Sequence, residues 1–261
     1  MKDYSIPVIY FHSVAPNKNR TWYKNYLTFR SSFFEGLLRE LCSQNYEFLF
    51  LDEYFSYSNE KQRKTKRICI TFDDGYLDNY VHAFPLLKKY GAKGTIFVNP
   101  EFIPTEKTQR STLEDVWNGK VSYSELQDLG FASWTELQIM QKSGVMDIQS
   151  HTLTHTKYVS SEKIREFHHP NSNYLYPISN AFPSRKPYYM VDDGFKFLLP
   201  FGVPFFEEKS ALITRKKSVN PEFVDNVVSL LKNYDWSNYN FDEAYRLIDS
   251  VYLNFRKNEQ L

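Results

Sequence analysis

Cysteine is scarce in this 261-residue chain: there are two, Cys42 and Cys69, at no spacing that makes a metal knuckle. Cys69 lies inside a β-favouring apolar run, where a lone thiol packs as a small core side chain. Long apolar runs are lacking too. No stretch approaches the roughly 20 residues of a membrane span. The first apolar segment, Ile6 to Phe11, is short and broken by Pro7, so it does not read as a secretory signal. A cytoplasmic location is therefore expected. Nor is there an excess of charge: 32 basic residues face 31 acidic ones, leaving +1, which removes nucleic acid and anionic membrane as default partners. Repeats, low-complexity tracts and linkers are absent. The expectation is a single domain over 1–261, with 221–261 as C-terminal helices packing on it.

What the chain has in quantity is aromatic side chains, 18 % of residues and mostly Tyr and Phe. Most belong in a core and on half-buried strands; stacking on a carbohydrate is the second use.

The stretch Ile68 to Tyr76, Ile-Cys-Ile-Thr-Phe-Asp-Asp-Gly-Tyr, organises the rest. A β-favouring run ends in two adjacent carboxylates and a glycine that lets the backbone turn. Successive side chains leaving a strand point different ways, so one carboxylate is suited to a metal and the other to a proton. Alone, Asp-Asp-Gly is as a rule a polar turn. A second stretch changes that: Ser150-His151-Thr152-Leu153-Thr154-His155 follows the apolar segment Val145 to Ile148. A lone His-x-x-x-His is mostly solvated surface, but two imidazoles with one carboxylate form a catalytic zinc set that leaves a position open for water.

In chain order, Pro7 to Phe11 reads as a strand delivering His12. Thr28 to Cys42 reads as a helix, with Phe33, Leu37, Leu38 and Leu41 at helical spacing. Phe48 to Leu51 is a short strand, and Asn59 to Arg67 a charged, solvated loop. After the carboxylates, Asn79 to Tyr90 reads as a helix closed by Gly91, and Gly94 to Val98 as a strand. This βαβ unit implies parallel strands, with the chemistry at their C-terminal ends, where Asp73, Asp74, Asn99 and His151 fall. Glu101 to Tyr123 is a polar excursion. Ser133 to Glu136 carries the pattern of a capping box, and Gly144 closes the helix it opens. From Ser161 a short helix leads to His168 and His169; Tyr174 to Ile178 reads as a strand. Two amphipathic helices, Pro221 to Tyr234 and Phe241 to Phe255, end the chain.

Thr-Phe-Asp-Asp-Gly at 71–75, followed by Ser-His-Thr-x-x-His at 150–155, resembles the polysaccharide deacetylase family, carbohydrate esterase family 4. The resemblance implies an α/β fold, a distorted (β/α) barrel of parallel strands with an incomplete repeat. It also implies a hydrolase that removes acetyl groups with one divalent cation, zinc before cobalt, nickel or iron(II). Asp73 corresponds to the general base, and Asp74, His151 and His155 to the metal ligands. The family commonly takes its general acid from a Leu-x-His near the C-terminus, yet no histidine follows His169. The branch acting on poly-N-acetylglucosamine supplies that histidine early, from an aromatic-His pair ending the first strand, and Phe11-His12 is similar to that permuted arrangement. His12 is thus the expected acid, with His168 and His169 as rivals. An Arg-x-Pro-Tyr element orients the base and helps bind the oxyanion in the family. Arg185-x-Pro187-Tyr188 matches it, and Tyr176-Pro177 resembles an alternative form. Trp134 is a weaker candidate for a pocket wall.

The implied partner is an N-acetylated amino sugar, free, within a glycan, or on a lipid- or nucleotide-linked precursor. Two other readings stay open: an amidohydrolase of a non-sugar amide, since loops change substrate on a shared barrel, and a glycan-binding barrel without turnover.

Overall fold

The computed structural model describes residues 6–16, 27–58, 65–172 and 176–258. They group into two compact units, 1–154 with 187–191, and 155–186 with 192–261. The last helices have a hydrophobic core of their own within the second unit.

The first unit runs β1 (Val8–Phe11), β2 (Ser13–Ala15), β3 (Thr28–Arg30), α1 (Ser31–Ser43), β4 (Glu47–Leu49), α2 (Leu51–Ser58) and β5 (Arg67–Phe72). A π-helical turn, Asn79–Ala83, then leads into α3 (Phe84–Lys89), β6 (Gly94–Val98), α4 (Leu113–Trp117), α5 (Trp134–Lys142) and β7 (Met146–Ser150). Strands β1, β5, β6 and β7 lie in that order, and β4 pairs with the first half of β5. Every pairing in this sheet is parallel. Ile68 to Phe72 are all buried, which is why β5 reads as an unbroken apolar run: helices cover parallel strands on both faces. Among the described residues no pairing joins β7 back to β1, so the sheet is open. The fold class is α/β, parallel-stranded, with an incompletely repeated (β/α) plan.

Local departures have local causes. The helix expected from Thr28 starts at Ser31, because Thr28–Arg30 pair with β2. Its inward face is Phe34, Leu38 and Leu41, whereas Phe33 is exposed. Rings of Phe11, Phe34 and Phe72 meet at 5.2–5.8 Å and knit β1, α1 and β5 into one core. The polar excursion after Glu101 contains α4, opened by a Thr112–Asp115 capping box. Of the charged loop, residues 59–64 lie outside the described residues.

In the second unit, β8 (Lys157–Phe167) pairs antiparallel with β9 (Pro204–Ser210), after α6 (Tyr176–Ala181) has intervened. The short helix expected from Ser161 is therefore strand, its local preference overridden by cross-strand pairing. The strand expected over Tyr174–Ile178 is not one: Tyr174 and Leu175 lie outside the described residues, and Tyr176–Ile178 open α6, with Pro177 in the first turn. The helices α7 (Pro221–Leu230) and α8 (Phe241–Asn258) follow. Phe223, Val227, Ala244, Ile248 and Tyr252 pack with Ile164, Phe167 and Phe206 of the strand pair. Among the described residues no helix is long and apolar enough to cross a membrane.

Candidate active site

Parallel register assembles the first half of the site. Phe11 lies opposite Phe72, and the Asp73 amide donates to the Phe11 carbonyl at 2.9 Å. His12 therefore leaves β1 beside Asp73 leaving β5, and His12 Nε2 lies 3.9 Å from Asp73 Oδ2. The two side chains are about equally accessible, 24 % and 22 %. Both reach solvent from a strand end.

The next residue turns the other way. Asp74 has φ +71° and Gly75 φ +73°. Aspartate tolerates that left-handed backbone better than most residues, and at Gly75 a Cβ would meet Val98 Cγ1 at 3.0 Å, so only glycine fits without a shift. The tight turn is what separates the two carboxylates.

The histidine segment hangs from the neighbouring strands. Val98 pairs with Ser150, the His151 amide donates to the Val98 carbonyl at 2.9 Å, and Asn99 Nδ2 donates to the carbonyl and the hydroxyl of Thr152, each at 3.3 Å. Thr152 (φ 130°) and His155 (φ 40°) join Asp74 among the four described non-glycine residues with left-handed backbone. Such strain persists where surrounding structure over-determines it, and it gathers at functional sites.

Asp74, His151 and His155 each offer one ligand atom, all within 4.8 Å of one another. His151 Nε2 lies 3.6 Å from Asp74 Oδ1. A tetrahedral site with bonds of about 2.1 Å separates its ligands by about 3.4 Å, so the donors present fit a divalent cation in both type and spacing. Tyr76 supports this set: its phenol hydrogen-bonds Asp74 and is held far above its ordinary range, by burial first and then by Tyr189 and Asp74. A hydrogen-bonded ligand carboxylate keeps its orientation.

The other expected residues are placed differently. Arg185, assigned to orient the base, bonds Asp192, so its guanidinium is engaged there. Tyr188 donates to both oxygens of Glu106 at 2.6 and 2.7 Å. Tyr176 begins α6 with Lys157 Nζ 4.9 Å from its ring centre. Trp134 opens α5 beside the Ser133–Glu136 capping box and is half exposed. His168 is fully buried, its Nε2 2.7 Å from the Lys196 carbonyl oxygen and its ring against Phe201 and Phe205. His169 is buried, bonded to Glu166 and stacked on Tyr239 at 4.1 Å. Neither ring offers the access that His12 has. Asp78 and Asn79, which anchor the segment after His12, escaped the sequence reading: a polar pair ahead of an apolar helix looks like an ordinary cap.

A family model described as polysaccharide deacetylase matches residues 60–190. That is half of the chain. The protein belongs to the polysaccharide deacetylase family. Among relatives, Bacillus subtilis (strain 168) YxkH is 36 % identical over 98 residues, 37 % of this chain and 33 % of that one. The poly-beta-1,6-N-acetyl-D-glucosamine N-deacetylase of Staphylococcus aureus (strain MSSA476) is 29 % identical over 129 residues, 49 % of this chain and 38 % of that one. The chain thus matches about a third of the length of these relatives. Among solved structures, the Streptococcus pyogenes deacetylase PplD in complex with acetate aligns with a TM-score of 0.43 and 25 % identity, over 59 % of each chain.

Proposed function

We propose that this polysaccharide deacetylase hydrolyses the acetamido group of an N-acetylated amino sugar, in a glycan or a glycan precursor, with one divalent cation held by Asp74, His151 and His155. The observation that carries this reading is the pairing of two accessible proton-transfer groups, His12 and Asp73 at 3.9 Å, one residue from the ligand set. A divalent cation held there supplies a Lewis acid for the acetyl carbonyl and for water.

The chain's own residues do the rest. Asp73 takes a proton from the attacking water as its oxygen bonds the acetyl carbon. His12, entering protonated, gives its proton to the sugar nitrogen as the carbon–nitrogen bond breaks, so the products are acetate and the amine. Asp73 and His12 end the cycle with protons exchanged, and their closeness returns the pair to its starting state. The buried rings of His168 and His169 do not compete for this part. Support for the substrate class comes from the staphylococcal relative, whose name specifies N-acetylglucosamine polymer.

The test is acetate release from N-acetylglucosamine oligosaccharides and other N-acetylated sugars, with and without added zinc or cobalt. Acetate that depends on the metal and on Asp73 is the expected result. Bound metal with no acetate from any sugar would move the reading to a non-sugar amide or to glycan binding.

A further inference from the structure

Chain segment 12–14 leaves the sheet directly after β1, where the strand ladder no longer holds it. Asn79 Nδ2 donates to the His12 carbonyl at 2.9 Å. Asp78 accepts from Ser13 Oγ at 2.5 Å and from the Val14 amide at 3.3 Å. Two consecutive residues at the mouth of the π-helical turn thus grip three consecutive residues of the histidine segment. Both are buried, with Asp78 1 % and Asn79 0 % exposed.

Burying polar side chains is costly unless their bonds are made. Asn79 meets that need through its bond to the His12 carbonyl. The fold buries a polar side chain at the residue whose donor holds the His12 backbone, where an apolar side chain would need no hydrogen-bond partner. The helical form has the same logic. An i→i+5 turn is rare and is found frequently at functional sites. Here it aims Asn79 at His12, and a few residues later aims His82 at Asp128, 2.7 Å away.

We propose that Asn79 is a positioning residue for proton transfer. Through the His12 carbonyl it sets where the imidazole meets the leaving nitrogen, while Asp78 fixes the turn that follows. Asn79 itself exchanges no proton: the proton passes from the His12 imidazolium to the nitrogen as that nitrogen's bond to the acetyl carbon breaks. This rests on the reading of His12 as the general acid.

The experiment compares wild type with Asn79→Leu, Asn79→Ser and His12→Ala on two substrates, using zinc-loaded full-length protein. An N-acetylglucosamine oligosaccharide needs its amine protonated to leave; para-nitrophenyl acetate releases a phenolate that needs no proton. Asn79→Leu is expected to lower kcat on the oligosaccharide about 10- to 100-fold, with KM and zinc affinity unchanged and the phenyl ester turned over at the wild-type rate. Asn79→Ser, small enough for the buried position should leucine not fold, pulls the donor out of reach and gives the same pattern. Combining Asn79→Leu with His12→Ala slows the oligosaccharide no further than His12→Ala alone. Asn79 variants that slow both substrates alike, or neither, overturn the positioning role and leave the acid standing. A His12→Ala loss that ignores the leaving group removes the acid, and this inference with it. No turnover of either substrate by wild type overturns both.

Discussion

The amide of Asp73 donates to the carbonyl of Phe11 at 2.9 Å, one residue beyond the last strand pair. The bond extends β1–β5 pairing by one step and brings His12 and Asp73, the two side chains proposed to transfer protons, to the same edge. It also means that neither side chain is replaceable by a neighbour, since a slip of one residue would turn His12 to the opposite face.

Asp73→Asn and His12→Ala should therefore each lower kcat on an N-acetylated oligosaccharide by about 10²–10⁴-fold, with the bound metal retained. Steady-state kinetics beside a zinc titration checks this. Loss of metal in Asp73→Asn would instead make Asp73 a ligand.

Metal should also stabilise the fold. Zinc at 100 times its dissociation constant adds about 2.7 kcal/mol to the native state, seen as a rise in Tm that a chelator reverses. His151→Ala, which removes a donor 3.6 Å from Asp74, should abolish the rise while leaving the metal-free Tm nearly unchanged. An equal rise in the variant would place the metal elsewhere.

Gly75→Ala should cost about 1–3 kcal/mol, because its backbone is left-handed and the new methyl would stand 3.0 Å from Val98 Cγ1. Urea denaturation reads the loss, and a stability equal to wild type would mean the turn had rearranged.

Arg110→Leu should be more severe. Glu136 is fully buried and accepts from the Arg110 side chain at 2.6 and 2.9 Å, as well as from the amides of Arg110 and Ser133. Removing the cation strands a buried carboxylate, at about 3–5 kcal/mol. The double change Arg110→Leu with Glu136→Gln should recover part of it.

Acid should weaken the second unit through His168. Burial, its largest influence, lowers the imidazole pKa below the ordinary 6.5. The unfolded chain then takes up that proton at a higher pH than the folded chain does. Stability falls as pH drops below about 6.5 and stops falling once the folded ring is protonated too. His168→Gln should flatten this slope between neutral and mildly acidic pH; a slope unchanged in the variant would assign it to other groups.

Much of the first unit was legible in the sequence because its signals are local. Ile68 to Phe72 read as a buried strand, Gly91 and Gly144 ended helices where a left-handed φ is needed, and the Asp-Asp-Gly and His-x-x-x-His stretches fell at strand ends. The second unit was much less legible. The antiparallel pairing of β8 with β9 is interrupted by register shifts between Val159 and Ile164 and again before Glu166, which break the alternation that marks a strand. Arg185 illustrates another limit: its motif is written in the sequence, but Asp192, the carboxylate it bonds, lies outside that motif.

The pairing of β1 with β5 has one more consequence. What the proposed chemistry requires is an imidazole carried on a strand whose carboxyl end abuts that of β5, and the order of segments along the chain is immaterial to it. Parallel strands offer several such berths around one carboxylate pair. On the proposed mechanism a proton donor on another segment would serve without any change to the proposed metal ligands, so long as its berth kept the register that sets Phe11 against Phe72.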